Sequence, residues 1–489
     1  MVAEQAVNIA DSLGRWAEET PFRVAIIETS RVIHYRDLDA AVWRAAAWLA
    51  AEGVKPGDRV GISLAGISAG YLIVVYGLAR IGAVTMQLPL AEPPAVRLAL
   101  ARRFALAAVV GDDAAARLDG FPLLKPIAIP PAASPAPIDP GLRAPGGAAP
   151  WLLCLSSGTT GAAKAMERSH RDHIRLCAIG HCQAGNEPGD RFLALIGFHL
   201  PYGLYHPMLT LAGGGTVSIP SLPIAVPDLA AMIDREHITR LALTPNLVDA
   251  LLPHFTGDRP RFPGIRRLSI ATMFTPERLR REICRRITPN LVIVYGTNEA
   301  LYVTTADAAA QIAYPETAGF PFDGVEVEIV DDRGEVLPRG EVGIVRLRGT
   351  PSPSGYVDDP QATAKAFRDG WYYPGDLGLL SPEGALFLKG RADDLINHDG
   401  IKIYPADIEA VLLQHPAVAE AAAFPLIIDG YRQLPVAAVV LREVASADSL
   451  LAFCRDRLGF RAPRRIHVLP ELPRNALGKV LKRELAGRL

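Results

Sequence analysis

The chain has 489 residues, 49% hydrophobic and 21% charged, with Lys+Arg 51 against Asp+Glu 52 and a net charge of −1. That length exceeds what one core usually supports, so two or more domains are expected. The balanced charge gives no footprint for nucleic acid or a membrane surface, which leaves a diffusing small molecule as the default partner. Five cysteines, odd in number and scattered, argue against a disulfide framework and for a reducing compartment.

Residues 8–20 read as an amphipathic helix, with Ile9, Leu13, Trp16 and Ala17 at helical spacing. Segments 24–27 and 31–35 read as a strand pair, followed by an Ala-rich helix to about residue 52. A strand at 60–64, a helix to about residue 80 and a strand at 83–86 continue an alternation that implies a parallel sheet with crossover helices. The N-terminus carries Glu4 and Asp11 and lacks a basic head with an apolar run, so no signal peptide is expected. The most apolar stretch, 71–90, is broken by Arg80, Gly82 and Pro89, too interrupted for a membrane span. A cytoplasmic location is expected.

A Pro/Ala/Gly-rich stretch at 130–150 reads as a linker or surface excursion. A short apolar strand at 151–155 then leads into Leu155-Ser156-Ser157-Gly158-Thr159-Thr160-Gly161-Ala162-Ala163-Lys164. Glycine lets a backbone bend expose its N–H groups to an anion, the hydroxyls add donors, and the lysine adds a point charge. This composition suits a triphosphate, yet Ala163 and Ala165 flank the lysine, so the common P-loop spacing fails. On these residues alone, phosphate binding and a flexible surface turn stand level.

Strand candidates follow at 216–219, 240–243, 267–270 and 291–295 with helices between them. From about residue 325 shorter strands with turn signals form a β-rich region. Beyond Arg391 comes a small module with helices at 408–414 and 447–458 and extended segments at 421–424 and 436–441.

Taken together, the motifs resemble one family, the AMP-forming, acyl-adenylating enzymes: acyl-CoA synthetases, aryl-CoA ligases, peptide-synthetase adenylation domains and beetle luciferases. The resemblance runs from Val32-Ile33-His34-Tyr35-Arg36-Asp37-Leu38 to the tail, in the family's order. It implies an α/β fold: a large N-terminal domain, 1–391, of parallel-rich sheets with flanking helices and a β-rich subdomain at about 320–391. A small, mobile α+β C-terminal domain, 392–489, follows.

The resemblance also implies roles. Ser156, Ser157, Gly158, Thr159, Thr160 and Gly161, with Lys164, would hold the β- and γ-phosphates of ATP. Phe198-His199-Leu200-Pro201-Tyr202-Gly203 resembles the segment that gates the acyl pocket, with His199 and Tyr202 as pocket residues. Ile270, Ala271 and Thr272 sit where relatives carry a Gly-Gly-Ala strand end lining adenine and substrate. In Tyr295-Gly296-Thr297-Asn298-Glu299 the aromatic would lie against adenine, the polar side chain would touch the α-phosphate, and Glu299 would hold Mg²⁺ together with Thr159. Asp376 would grip the ribose hydroxyls with Arg391 as its partner. Asp393 would be the hinge, Gly400 would lie on the thioester-forming face, and Lys479 would drive adenylation.

The physical demand fits these residue types. A carboxylate attacking the α-phosphorus of ATP brings two anions together, so positive charge and oriented donors are needed there. An ionised aspartate is acceptor-only, with two oxygens for two ribose hydroxyls. The expected activity is conversion of a carboxylic acid to an acyl-AMP and then to a CoA thioester. Transfer to the phosphopantetheine of a separate acyl carrier protein is the alternative, since no carrier domain is expected within this chain.

The departures bear on the substrate. Asn298 stands where most relatives have Thr, an amide that can still donate. Ile270 and Ala271 replace a glycine pair, which narrows the cavity. His199 stands where adenylation domains for α-amino acids carry Asp, so an uncharged aromatic or short-to-medium aliphatic acid fits best. His170, His173, Cys177, His181 and Cys182 cluster on one predicted helix; packing is the reading, with a zinc site the sharper alternative.

Overall fold

A computed structural model describes residues 8–29, 31–112, 114–126, 146–156, 164–182, 185–398, 401–428, 432–474 and 478–488. Two parallel-rich sheets carry the larger part. The nine-stranded one runs, edge to edge, Phe320–Pro321, Leu301–Ala306, Leu291–Thr297, Arg267–Ile270, Arg240–Leu243, Arg191–Leu193, Thr216–Ile219, Val24–Glu28 and Arg31–His34. Its six central strands pair in parallel, and antiparallel strands close both edges. Apolar runs such as Leu291-Val292-Ile293-Val294 are buried along their whole length, as expected of strands covered on both faces.

The six-stranded second sheet is parallel except for its last pair, Pro150–Ser156 with Lys164–Ser169. The helix Ala69–Arg80 is buried on every side, and its core neighbours include Ile26 and Val217 of the first sheet and Val60 and Leu152 of the second. Apolar all round, it packs as an internal helix rather than a surface one. Ser68 caps it, accepting from Tyr71 N at 3.1 Å.

Side chains alternate across the nine-stranded sheet with the period of a strand. Leu241, Leu243, Leu268, Ile270, Leu291 and Ile293 share one core, with Leu229 and Ile283 from helices on that face. Ala242, Phe192 and Ala194 point the other way, into a core shared with Leu204 and Met208 of the helix Pro201–Ala212.

The third sheet, from Glu326 to Arg391, is antiparallel throughout, matching the expected β-rich texture. Past it lie the hairpin Ile396–His398 with Ile401–Ile403, and a three-stranded sheet Val418–Ile428, Arg432–Leu441, Arg465–Val468 flanked by helices. Two hydrophobic clusters are made wholly of residues beyond 395, and four wholly of residues before 389.

The expected strands appear in place, some extended by a few residues. Several strands were not expected, among them Ala108–Val110, Arg191–Leu193, Leu301–Ala306 and Lys164–Ser169, the last (Lys-Ala-Met-Glu-Arg-Ser) too polar to read as extended. Lys164–Ser169 pairs antiparallel with Pro150–Ser156, so the phosphate-loop motif connects the two strands of a hairpin.

Candidate active site

The motif residues gather beyond the carboxyl ends of the parallel strands, where ligands bind in sheets of this kind. Strand Leu291–Thr297 carries Tyr295 outward, and strand Asp376–Leu380 brings up Asp376. Tyr295 Oη donates to Asp376 Oδ2 at 2.5 Å, and Arg391 Nη1 donates to Asp376 Oδ1 at 3.1 Å. Burial, then the Asp376 charge, push the Tyr295 phenol well above its ordinary range, so it remains a donor. Arg391 also lies 3.4 Å from Asp393 Oδ1 and donates to Pro374 O.

Gly296 sits at the irregularity where strand Leu291–Thr297 shifts register against Leu301–Ala306. A Cβ there would stand 1.7 Å from Leu301 O, so only glycine fits. Thr297 Oγ1 accepts from Ala300 N at 3.0 Å and bends the chain towards Glu299. Glu299 is 7% exposed, and its Oε1 accepts from Tyr356 Oη at 2.9 Å. Lys164 Nζ sits 5.0 Å from the centre of the Tyr356 ring, a cation–π contact. A nearly buried, acceptor-only carboxylate beside a lysine offers the hard oxygen that Mg²⁺ takes.

Asn298 is placed differently from the expectation. Its Nδ2 donates to Leu155 O at 3.2 Å, tying this segment to the strand that leads into the phosphate-loop motif. Arg168, fully buried, donates to Asn298 O and Pro351 O and pins the same turn from beneath. The sequence reading singled out neither Tyr356 nor Arg168; an arginine inside an unrecognised strand carries no motif.

The acid side needs one correction. Ile270 was expected to wall the pocket, but its side chain is fully buried in the core on the opposite face of the sheet. Strand alternation puts Ser269 on the pocket side instead. Tyr202 Oη donates to Ser269 O at 3.2 Å, so this predicted pocket residue bridges helix and strand end. Ala271 and Thr272 follow the strand, and Thr272 holds φ +79°, a left-handed conformation that a β-branched residue rarely adopts. His199 is half-buried, its imidazole pushed down by burial, and it lies under Gly197, where a Cβ would meet its ring at 2.4 Å.

The C-terminal segment reaches this rim. Thr244 caps the helix Pro245–Leu251 beyond strand Arg240–Leu243, and Asn246 of that helix donates to Gly478 O at 3.4 Å. Gly478, at φ +81°, directly precedes Lys479. Arg474 donates to the same Gly478 carbonyl and to Glu420. Ser157, Gly158, Thr159, Thr160, Gly161 and Gly400 lie outside the described residues, as does the Ser156 side chain.

On the helix His170–Cys182, His170 Nδ1 accepts from Ile9 N at 3.3 Å, and His173 stacks on Tyr205 with its edge to Trp151. Burial pushes these imidazoles down to about 4 and about 3. They pack as core rings. The side chains of His181 and Cys182 lie outside the described residues, and no group of three His, Cys, Asp or Glu among the described residues could hold a metal.

With the geometry in place, comparison with known proteins is direct. Residues 13–357 match the family described as AMP-binding enzyme, and residues 407–479 match the AMP-binding enzyme C-terminal domain. The chain is 30% identical over 477 residues to a 2-succinylbenzoate–CoA ligase of Geobacillus kaustophilus (strain HTA426), covering 95% of each. It is also 30% identical over 524 residues to a 3-hydroxybenzoate–CoA ligase of Aromatoleum sp. (strain CIB), covering 99% of this chain and 98% of that one. The structure of the o-succinylbenzoate CoA synthetase of Bacillus subtilis with its acyl-adenylate intermediate superposes with a TM-score of 0.88 at 27% identity, covering 98% of both chains. That enzyme has also been solved with ATP and a magnesium ion. This chain belongs to the AMP-binding enzyme family, the AMP-forming acyl-adenylating enzymes.

Proposed function

We propose that the chain is an AMP-forming acid–CoA ligase, which joins a small carboxylic acid to the α-phosphate of ATP, releases pyrophosphate, and passes the acyl group to CoA. The observation that carries this reading is the Tyr295–Asp376–Arg391 chain of hydrogen bonds, set one strand end away from Glu299 and Lys164.

Each residue has a defined task. Asp376, oriented by Arg391 and Tyr295, accepts from the ribose hydroxyls, while the Tyr295 ring lies against adenine. Lys164 and the loop before it anchor the pyrophosphate end, and Asn298 fixes the strand leading into that loop. Glu299, steadied by Tyr356, and Thr159 would hold Mg²⁺, which when bound offsets the phosphate charge. Lys479, carried to the rim by the Gly478 turn, supplies a mobile cation between the carboxylate and the α-phosphate. The acid's carboxylate is already ionised at neutral pH, so no general base is required.

We further read the chain as two units, 1–391 and 392–489. The second turns about Asp393, withdraws Lys479 after adenylation and presents the face around Gly400 for the thioester step. The separation of core clusters on either side of residues 389–395 supports this division. The acid is small, aromatic or short-to-medium aliphatic. It carries no α-ammonium, because His199 stands where a carboxylate would be needed.

ATP–pyrophosphate exchange driven by a panel of carboxylic acids tests the first half-reaction. Exchange with at least one acid, followed by CoA-dependent thioester formation, is the expected result. No exchange with any acid would refute the ligase reading. Exchange without CoA transfer would redirect the acyl group to a carrier protein.

A further inference from the structure

Behind the predicted pocket wall lies a small cavity between the helix Pro201–Ala212 and the pocket face of the nine-stranded sheet. Arg240, Arg267, His206, Ser269, Val294 and Tyr302 are among its lining residues. At about 20 Å³ it has room for a small group only. Its tie to the acid side is Tyr202, which covers the niche with its hydroxyl on Ser269 O and its ring T-shaped to that of His206, centres 4.8 Å apart.

Two arginines and no carboxylate line this niche. Asp190 sits 3.3 Å from Arg240 and is shared with Arg266, which also pairs with Glu187. Arg267 stands apart from that network. Its Nε donates to Ser269 Oγ at 3.1 Å, and among the described residues no carboxylate forms an ion pair with it. Burial and the neighbouring Arg240 push its guanidinium down to about 10, still charged at neutral pH. Arg267 is half-buried, and its charge feels the exposed carboxylate of Asp307 without an ion pair between them, so an anion entering the niche would match it more closely. His206 Nε2 is also buried without a hydrogen-bond partner among the described residues. Burial, with Arg240 and Arg267 adding to it, pushes this imidazole down to about 3, so it is neutral and can donate one N–H.

We propose that this niche is the far end of the acid pocket and that the enzyme selects a small carboxylic acid bearing a second carboxylate, held by the Arg267 guanidinium. The inference rests on the ligase reading and narrows its substrate class. It replaces the uncharged acid expected from the segment 198–203 alone. The first carboxylate meets the α-phosphate under Lys479, and the second enters between His206, Ser269 and Tyr302. A methyl or hydrogen at that end would leave Arg267 without an ion-pair partner.

Pairs of aromatic and short aliphatic acids, identical except for a distal carboxylate or a distal methyl, would be compared by ATP–pyrophosphate exchange. The distal-carboxylate member of at least one pair should show a kcat/KM on the order of 10²-fold higher. In Arg267→Gln that ratio should shrink at least tenfold, through KM rather than kcat, and Arg267→Lys should retain part of it. Wild-type ratios near one or favouring the methyl in every pair would overturn the proposal without any variant, whether or not Arg267→Gln folds. So would a ratio unchanged in Arg267→Gln. Exchange with neither member of any pair, nor with any other acid, would overturn the ligase reading itself and this inference with it.

Discussion

At the nucleotide end of the site, Asp376 is held on one side by Tyr295 and on the other by Arg391, so its charge is matched before any ligand arrives. At the acid end, Arg267 and Arg240 come from two strands, His206 from a helix and Tyr302 from the antiparallel strand Leu301–Ala306, and Arg267 makes no ion pair with a carboxylate among the described residues. The first arrangement is preorganised for a cosubstrate whose shape never changes. The second is completed only by the right acid. Generic chemistry is thus built from satisfied hydrogen bonds, and selectivity from a charge left for the substrate to match.

The largest expected break acts on neither end but on the cation between them. Lys479→Ala should slow adenylation ~10²–10³-fold, the usual effect of removing one group aimed at developing charge. The loss should be equal for every acid, as read by pyrophosphate exchange; retained full activity would exclude Lys479 as the adenylating cation. Next comes Asp376→Asn. An amide would turn an N–H towards Tyr295 Oη or Arg391, both donors, and would accept less well from ribose. A rise in KM for ATP of on the order of 10²-fold is expected, from charged hydrogen bonds worth ~1.5–3 kcal/mol each. The preference among acids should stay put, and if it shifted as much as the ATP constant, the two ends would not be separable.

That contrast also explains what could be read from the sequence. Tyr295 to Glu299, Asp376 and Arg391 lie in short contiguous motifs because backbone geometry makes the site: Gly296 is needed where a Cβ would strike Leu301 O, whatever the acid. The parallel, helix-crossed character of the sheets was legible too, from apolar runs alternating with helices, but not the order of their strands. The acid niche was not legible. Arg240, Arg267, Val294 and Tyr302 come from four strands and His206 from a helix, and no spacing links them until the strands align. Ile270 shows the limit most clearly. A segment can be placed correctly while the face of one side chain is read wrongly, because one residue along a strand reverses its direction.

A third test asks whether the acid end is as dry as its geometry implies. The His206 imidazole is pushed down to about 3 in the folded chain against an ordinary value of ~6.5. The unfolded chain therefore binds the proton first. Stability from this residue is complete above pH ~6.5 and is lost as pH falls towards 3, by about 2 kcal/mol at pH 5. His206→Phe keeps the stacking on Phe192, whose ring centre lies 5.5 Å away, and removes the titrating nitrogen. Denaturant unfolding at pH 7 and pH 5 should show a drop smaller by about that amount in the variant. An identical drop in both proteins would mean that His206 is hydrated, and the niche with it.

The smallest change probes the nucleotide end at its least obvious member. Tyr356→Phe keeps the ring beneath Lys164 and its edge contact with Phe367, at 5.6 Å between centres, and deletes only the hydroxyl that donates to Glu299 Oε1. Losing one hydrogen bond to a carboxylate is worth about 1.5 kcal/mol, roughly tenfold in kcat/KM for Mg²⁺-ATP. The deficit should ease as Mg²⁺ is raised, because the lost hydroxyl steadies a metal ligand rather than contacting ATP. If excess Mg²⁺ left the deficit unchanged, Tyr356 would be acting on the phosphates or on Lys164 instead. If the ratio between distal-carboxylate and distal-methyl acids moved with it, the charge at Glu299 would be felt at Arg267, and the independence of the two ends would fail.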